Sequence, residues 1–203
     1  MGAASTQEAA TQLAELYEPT QAGASRRKTL TKALEQMRRE GEGLGIAMNQ
    51  FYDSNAIFLE DEAEHGVQTQ DDLLVTPHIS TFPGCRLPHA WVEETLHKKL
   101  LSTHDLAGHG SFTIFYGNGG IAWREAAVQI SNQTGIPIQA RGIGFGLDFH
   151  DSCREWHMVN GVEEDGCVLV RPDRFVAWRA KNMVPDAEAK LQHVLNRILS
   201  REA

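Results

Sequence analysis

The stretch Ser111-Phe112-Thr113-Ile114-Phe115-Tyr116-Gly117-Asn118-Gly119-Gly120-Ile121-Ala122-Trp123 decides how this chain folds. Ser111 to Tyr116 is a short run of aromatic and β-branched residues, which reads as a strand. The glycines that follow mark a tight turn, and Gly119 to Asn132 continues as a helix. Ile136 to Ile143 supplies a second strand, and a strand, a helix and a further strand in this order form a parallel βαβ unit. Downstream, Asp151 to Asn160 reads as a short helix or loop. Cys167 to Val170 and Phe175 to Trp178 form a hairpin across the turn Arg171-Pro172-Asp173-Arg174. Pro185 and Asp186 start a last helix, on which Leu191, Val194, Leu195, Ile198 and Leu199 make an i, i+3, i+4, i+7, i+8 stripe.

The order strand, helix, strand, helix, hairpin, helix is that of an α/β thioredoxin-like sandwich, a βαβ unit followed by a ββα unit. A thioredoxin carries C-x-x-C where its first strand turns into a helix. This chain has Gly117-Asn118-Gly119-Gly120 there, so dithiol exchange is not expected. Gly117, Gly119 and Ala122 do satisfy G-x-G-x-x-A, a dinucleotide-binding pattern. The next strand, however, ends in Gln139, Ala140 and Arg141 without an acid to hold a ribose, and a hairpin follows instead of another parallel strand. A tight turn with close helix packing is the expectation, and no cofactor is assigned.

Upstream, Gln7 to Tyr17 carries Ala9, Leu13, Leu16 and Tyr17 on one face. Ser25 is placed to cap a second helix bearing Leu30, Leu34 and Met37, which ends at Gly41 and Gly43. Both helices are narrowly apolar and need something to pack against. Glu60, Asp61, Glu62, Glu64, Asp71 and Asp72 crowd a stretch with few large apolar groups. The expected organisation is a helical extension over residues 1–60, an exposed acidic connector over 61–77 and the thioredoxin-like domain over 78–203.

The chain has 203 residues, 41% of them hydrophobic, enough to bury a core without disulfides. Its three cysteines, Cys85, Cys153 and Cys167, form no C-x-x-C pair, which fits reduced thiols, and no His or Cys pair stands at zinc-ligand spacing, so no metal is assigned. A net charge of −8 disfavours a nucleic-acid partner, for want of surplus Lys and Arg to neutralise phosphates. No apolar run approaches the roughly 20 residues that cross a bilayer, and residues 1–10 lack a secretory signal pattern. No membrane association and a cytoplasmic location are therefore expected.

A family resemblance rests on motifs in series. They are Pro83-Gly84-Cys85-Arg86-Leu87-Pro88-His89-Ala90-Trp91, Ser102-Thr103-His104-Asp105-Leu106, Gly110-Ser111-Phe112-Thr113-Ile114, Gly119-Gly120-Ile121-Ala122-Trp123, Glu164-Asp165-Gly166-Cys167-Val168-Leu169-Val170-Arg171-Pro172-Asp173 and Val176-Ala177-Trp178-Arg179. Together they resemble the C-terminal thioredoxin-like domain of FAD-dependent aromatic hydroxylases of the phenol and chlorophenol type, over residues 78–180. A weaker likeness at 45–57 resembles the segment just before that domain. In that family an N-terminal Rossmann domain binds the flavin and a large domain covers the substrate, while the C-terminal domain serves packing and oligomer contacts. The resemblance therefore implies a chain that by itself neither binds FAD nor hydroxylates.

The densest polar cluster is Asp148-Phe149-His150-Asp151-Ser152-Cys153-Arg154-Glu155-Trp156-His157. His150, flanked by two carboxylates, suits a general base, with Asp151 and His157 as further catalytic candidates; Phe149, Trp156 and Asp148 are the candidate ligand contacts. The plainer reading is a polar loop with Asp151 as a helix cap. Cys153 stands four residues before His157, a spacing that suits a nucleophile and its base on one helix face, and equally a small buried thiol. His89 and Asp105 match family motifs and are expected to be structural, and His65, His97 and His193 to be exposed. Two functions follow. The first is flavin-free acid–base chemistry, such as cyclisation, isomerisation or dehydration, on a small aromatic or polyketide-like molecule of secondary metabolism. The second is a non-catalytic accessory or oligomerisation subunit of a separate FAD monooxygenase. A homo-oligomer is expected under either, and a fragment of a longer protein is a third possibility.

Overall fold

A computed structural model describes residues 5–62 and 76–201 of the chain. Three helices come first: α1 (Thr6–Glu15), α2 (Gln21–Gly41) and the short α3 (Leu44–Met48). The domain proper contains β1 (Trp91–Glu94), β2 (Leu100–Ser102), α4 (Thr103–Leu106), β3 (Phe112–Tyr116), α5 (Ile121–Thr134), β4 (Ile138–Gly142), β5 (Phe149–His150), α6 (Glu155–Val159), β6 (Cys167–Val170), β7 (Val176–Ala180) and α7 (Ala187–Ile198).

The larger sheet runs β4-β3-β6-β7, with β3 parallel to β4 and antiparallel to β6. This is the thioredoxin-like order, and it follows from β3: all five of its residues are buried, so both of its edges and both of its faces need partners. On one face Phe112, Ile114 and Tyr116 join Trp123, Ala126 and Ile130 of α5 and Leu191, Val194 and Leu195 of α7. Asp186 caps α7 by accepting from the Ala189 N–H at 2.9 Å. Each fully buried leucine on this helix contributes about 2 kcal/mol of apolar burial. On the other face Phe115, Val168, Val170 and Val176 meet Val92, Phe149 and Trp156.

Trp156 stands in α6, within the short helix or loop expected over 151–160, whereas Val92 and Phe149 belong to strands that the pattern along the chain does not announce. β1 pairs antiparallel with both β2 and β5 in a second, three-stranded sheet, and α4 opens with a capping box formed by Ser102 and Asp105. The structure also moves the start of α2. Thr20, not Ser25, is its cap, with the Thr20 Oγ1 accepting from the Gly23 N–H at 3.1 Å. Gly23 lies inside the first turn, where a Cβ would strike the carbonyl oxygens of Glu15 and Glu18.

The outer edge of β7 is covered. Gly84 N–H donates to the Val176 carbonyl (2.8 Å), Val176 N–H to the Cys85 carbonyl (2.9 Å) and Phe58 N–H to the Ala177 carbonyl (2.8 Å). Cys85 lies buried here, and burial pushes its thiol up to about 11 against the opposing influence of Arg179.

Most of the acidic connector, 63–75 with Glu64, His65, Asp71 and Asp72, lies outside the described residues. Of the two acids at its start that are described, Asp61 is exposed while the Glu62 side chain turns inward. Asp61 accepts from the indole N–H of Trp178 (2.7 Å) and from Lys190 (2.8 Å). Glu62, its side chain 5% exposed, takes both Nε and Nη2 of Arg179, at 2.6 and 3.0 Å, and Arg179 also donates to Thr81 at 3.2 Å. One guanidinium thus ties the chain on both sides of the connector to β7. Glu62→Ala leaves that buried cation without its carboxylate and is expected to lower the unfolding free energy by about 3 kcal/mol in urea titrations; a loss under about 1 kcal/mol would mean that the pair holds nothing.

Candidate functional site

The C-terminal end of β3 and the glycine turn behind it face α6 and the 162–166 loop across a cleft of about 400 Å³. Three of the sequence-derived candidates line it, Asp151, Trp156 and His157, together with Tyr116, Asn118 and Arg154. The other three stand elsewhere. Phe149 is buried in the apolar layer between the two sheets. Asp148 lies beneath the β4 end, its Oδ2 accepting from the Gly142 N–H at 2.9 Å and its carbonyl from the Thr95 N–H at 3.0 Å. His150, the next residue along β5, pairs across to Glu93, and its ring packs edge-on against the exposed Phe145 with centroids 6.3 Å apart.

Local rules explain this dispersal. On a strand, neighbours alternate faces, so burying Phe149 turns His150 away from the core. Asp151 then ends the strand and holds α6. Its Oδ2 accepts from the His157 N–H at 2.8 Å and its Oδ1 from the Trp156 N–H at 3.3 Å. The residue at the cap position, Arg154, sits at φ 58° and makes no side-chain cap bond, so Asp151 does that work from three residues upstream. Trp156 stacks at a tilt on Phe115, centroids 5.1 Å apart, and Glu155 accepts the Trp91 N–H at 2.8 Å, which fixes α6 to β1. Neither carboxylate flanking His150 is hydrogen-bonded to it among the described residues. Cys153 is exposed.

Tyr116 and Asn118 are among the lining residues that the reading of the chain missed. Tyr116 is buried at the strand end, and its phenol is held above its usual range by burial, then by the nearby Asp148, against a hydrogen bond from Arg124. It stays a neutral hydroxyl at physiological pH. Asn118 clamps the opposite wall, its amide donating to the Phe145 carbonyl (2.6 Å) and accepting from the Phe145 N–H (2.8 Å). A lone amide among glycines was its only sequence signal.

The histidines before β3 are tied into local structure. His89 Nδ1 shares a 2.7 Å bond with Ser102, whose Oγ also accepts from the His104 N–H at 3.0 Å, and Asp105 accepts from the Ser102 N–H at 2.9 Å. His104 Nε2 donates to the Leu87 carbonyl at 2.6 Å, and burial pulls its pKa below the ordinary value.

The glycine turn packs closely against the 164–166 loop. A Cβ on Gly117 would lie 2.5 Å from the Glu164 carbonyl oxygen and one on Gly119 2.9 Å from the Asp165 Cβ, and the Trp123 indole donates to the Asp165 carbonyl at 2.9 Å. These contacts leave glycine as the residue that fits there, which accounts for the G-x-G pattern by packing. Among the described residues no cluster of three or more His, Cys, Asp or Glu is arranged for a metal, and no helix is long and apolar enough to cross a membrane.

The model of the family described as the C-terminal part of aromatic-ring hydroxylases matches residues 80–201. The chain belongs to this family. This hydroxylase C-terminal domain is 42% identical to phenol 2-monooxygenase of a Pseudomonas species over 174 residues, which are 86% of this chain and 28% of that protein. It is 37% identical to aklavinone 12-hydroxylase of Streptomyces purpurascens over 150 residues, 74% of this chain and 26% of the relative. A solved structure of the flavin-dependent monooxygenase PieE, in complex with FAD and substrate, superposes with a TM-score of 0.85 at 33% identity, covering 97% of this chain and 33% of that one. The chain thus spans a third or less of the proteins that it matches. FAD, which the PieE structure holds, is assigned to no described residue of this chain, because the glycine turn packs against the 164–166 loop and β4, the strand after it, ends in Ala140, Arg141 and Gly142 without an acid to hold a ribose.

Asp151→Ala, which removes both acceptors at the start of α6, is expected to cost about 1 kcal/mol of stability while Asp151→Asn costs less than half of that. Thermal or urea unfolding of the two variants checks it; equal stability of Asp151→Ala and the unaltered chain would free Asp151 from the capping role.

Proposed function

We propose that this chain serves a flavin-dependent aromatic hydroxylase as a non-catalytic C-terminal domain, the FAD and the phenolic or polyketide-like substrate being held by other domains, on the same polypeptide or a separate one. The observation that carries this reading is the engagement of the polar cluster by the fold. Asp148 and Asp151 are taken up by backbone N–H groups, and His150 is turned away from the cleft. A general base oriented by a carboxylate needs the opposite arrangement.

Flavin-free acid–base chemistry is the second reading. In its favour Asp151, Trp156 and His157 share one cleft, a setting of the size that admits a single aromatic ring system. That reading moves the proton with His157.

The two readings part in one experiment. The chain is tagged at its native locus, purified, and examined for flavin absorbance and for hydroxylation of phenols; in parallel, its coding region is deleted. Flavin is expected to travel with the chain, and phenol hydroxylation to disappear on deletion. A flavin-free preparation that converts an aromatic intermediate, with host hydroxylation intact after deletion, would favour the second reading and overturn the first.

A further inference from the structure

Among the described residues helix α2 is exposed along nearly its whole length, with Gly23 its one buried residue. Gly23, Arg27, Leu30, Leu34 and Met37 follow one another at alternating spacings of four and three, which draws a single seam along one face. Its first part is occupied. Gly23 is buried under the end of α1, and Arg27 donates to the carbonyls of Leu16 and Glu18, both at 2.9 Å. Beyond that point nothing among the described residues covers the seam, and Leu30, Leu34 and Met37 are 43, 55 and 66% exposed. On α1, Leu13 is 60% exposed and Tyr17, just beyond it, 88%. A seam that begins as a helix contact and continues uncovered is built for a second helix.

We infer that the bare half of this seam is where the flavin- and substrate-holding part of the hydroxylase docks, through a helix that is apolar along its centre and acidic at its margins. The inference rests on the proposed function. Three features point to this occupant. Residues flanking the seam, Thr31 and Ala33, are small, which allows close helix approach and leaves the apolar stripe too narrow for a membrane-surface helix. Helix α2 carries six basic side chains against two acidic ones in a chain of net charge −8, so an acidic surface complements it. The likeness to PieE covers 97% of this chain, and so these helices, but only 33% of the longer one; the rest of that chain is the protein available to cover them.

The test uses the full chain tagged at its native locus, with a photoreactive benzophenone residue in place of Ala33 beside the seam or Lys28 on the opposite face. A second pair of preparations carries Leu30→Glu with Leu34→Glu, which keeps good helix formers on an exposed face, or Leu96→Glu on a distant exposed loop as control. Flavin should co-elute with the unaltered chain, and Ala33 but not Lys28 should cross-link to the flavin-binding part. The double variant should lose about tenfold or more of that cross-link while Leu96→Glu retains it. Flavin co-elution with cross-links unchanged in the double variant, or running only to a second copy or to Glu64, Asp71 or Asp72, overturns the docking site and leaves the proposed function standing. Absence of flavin from the unaltered chain overturns the proposed function itself and the docking site with it. Sedimentation with anionic phosphatidylglycerol vesicles, lost in the double variant and without a flavoprotein cross-link, would assign the seam to a membrane surface instead.

Discussion

Burial of β3 on both faces is the constraint from which the rest of the molecule follows. A strand reading Phe-Thr-Ile-Phe-Tyr with every residue buried cannot lie at an edge or face water. Its alternation sends Phe112, Ile114 and Tyr116 toward α5 and α7, and Phe115 toward the second sheet. The helices on one side and the β1-β2-β5 sheet with α6 on the other are two coverings of the same strand. The cleft lies where this strand stops and the glycine turn begins, so its walls are the ends of elements placed for packing.

That origin explains how the polar residues are used. At strand and helix ends backbone N–H groups lack partners, and carboxylates nearby supply them. Asp148 serves the end of β4, Asp151 the start of α6 and Asp105 the start of α4. Glu62 and Asp61 do comparable work for side chains, binding Arg179 and the Trp178 indole.

The parts of this architecture legible along the chain are those where local and long-range demands agree. Strand β3, its turn, α5, the β6–β7 hairpin and the capped α7 each carry a strong period with Gly, Pro or Asp punctuation, and they stand within a few residues of where the sequence placed them. β1, β2 and β5 hold four, three and two residues, too few for a period, and exist because β3 needs a cover. The inward turn of Glu62 depends on Arg179, 117 residues away, which no local pattern records. At the site, proximity in sequence misled. Residues 148–157 look like one cluster, but a strand end and a capped helix divide them, leaving His150 beside Phe145 and His157 at the cleft.

The central claim is that this domain supports hydroxylation without taking part in the proton transfers. The most direct measurement is kcat for phenol hydroxylation by the native assembly carrying His150→Ala together with His157→Ala. The predicted result is a kcat within about twofold of the unaltered assembly, since a true general acid–base residue supplies about a hundredfold or more. A fall of about a hundredfold, with the assembly's flavin content and melting temperature unchanged, would contradict it.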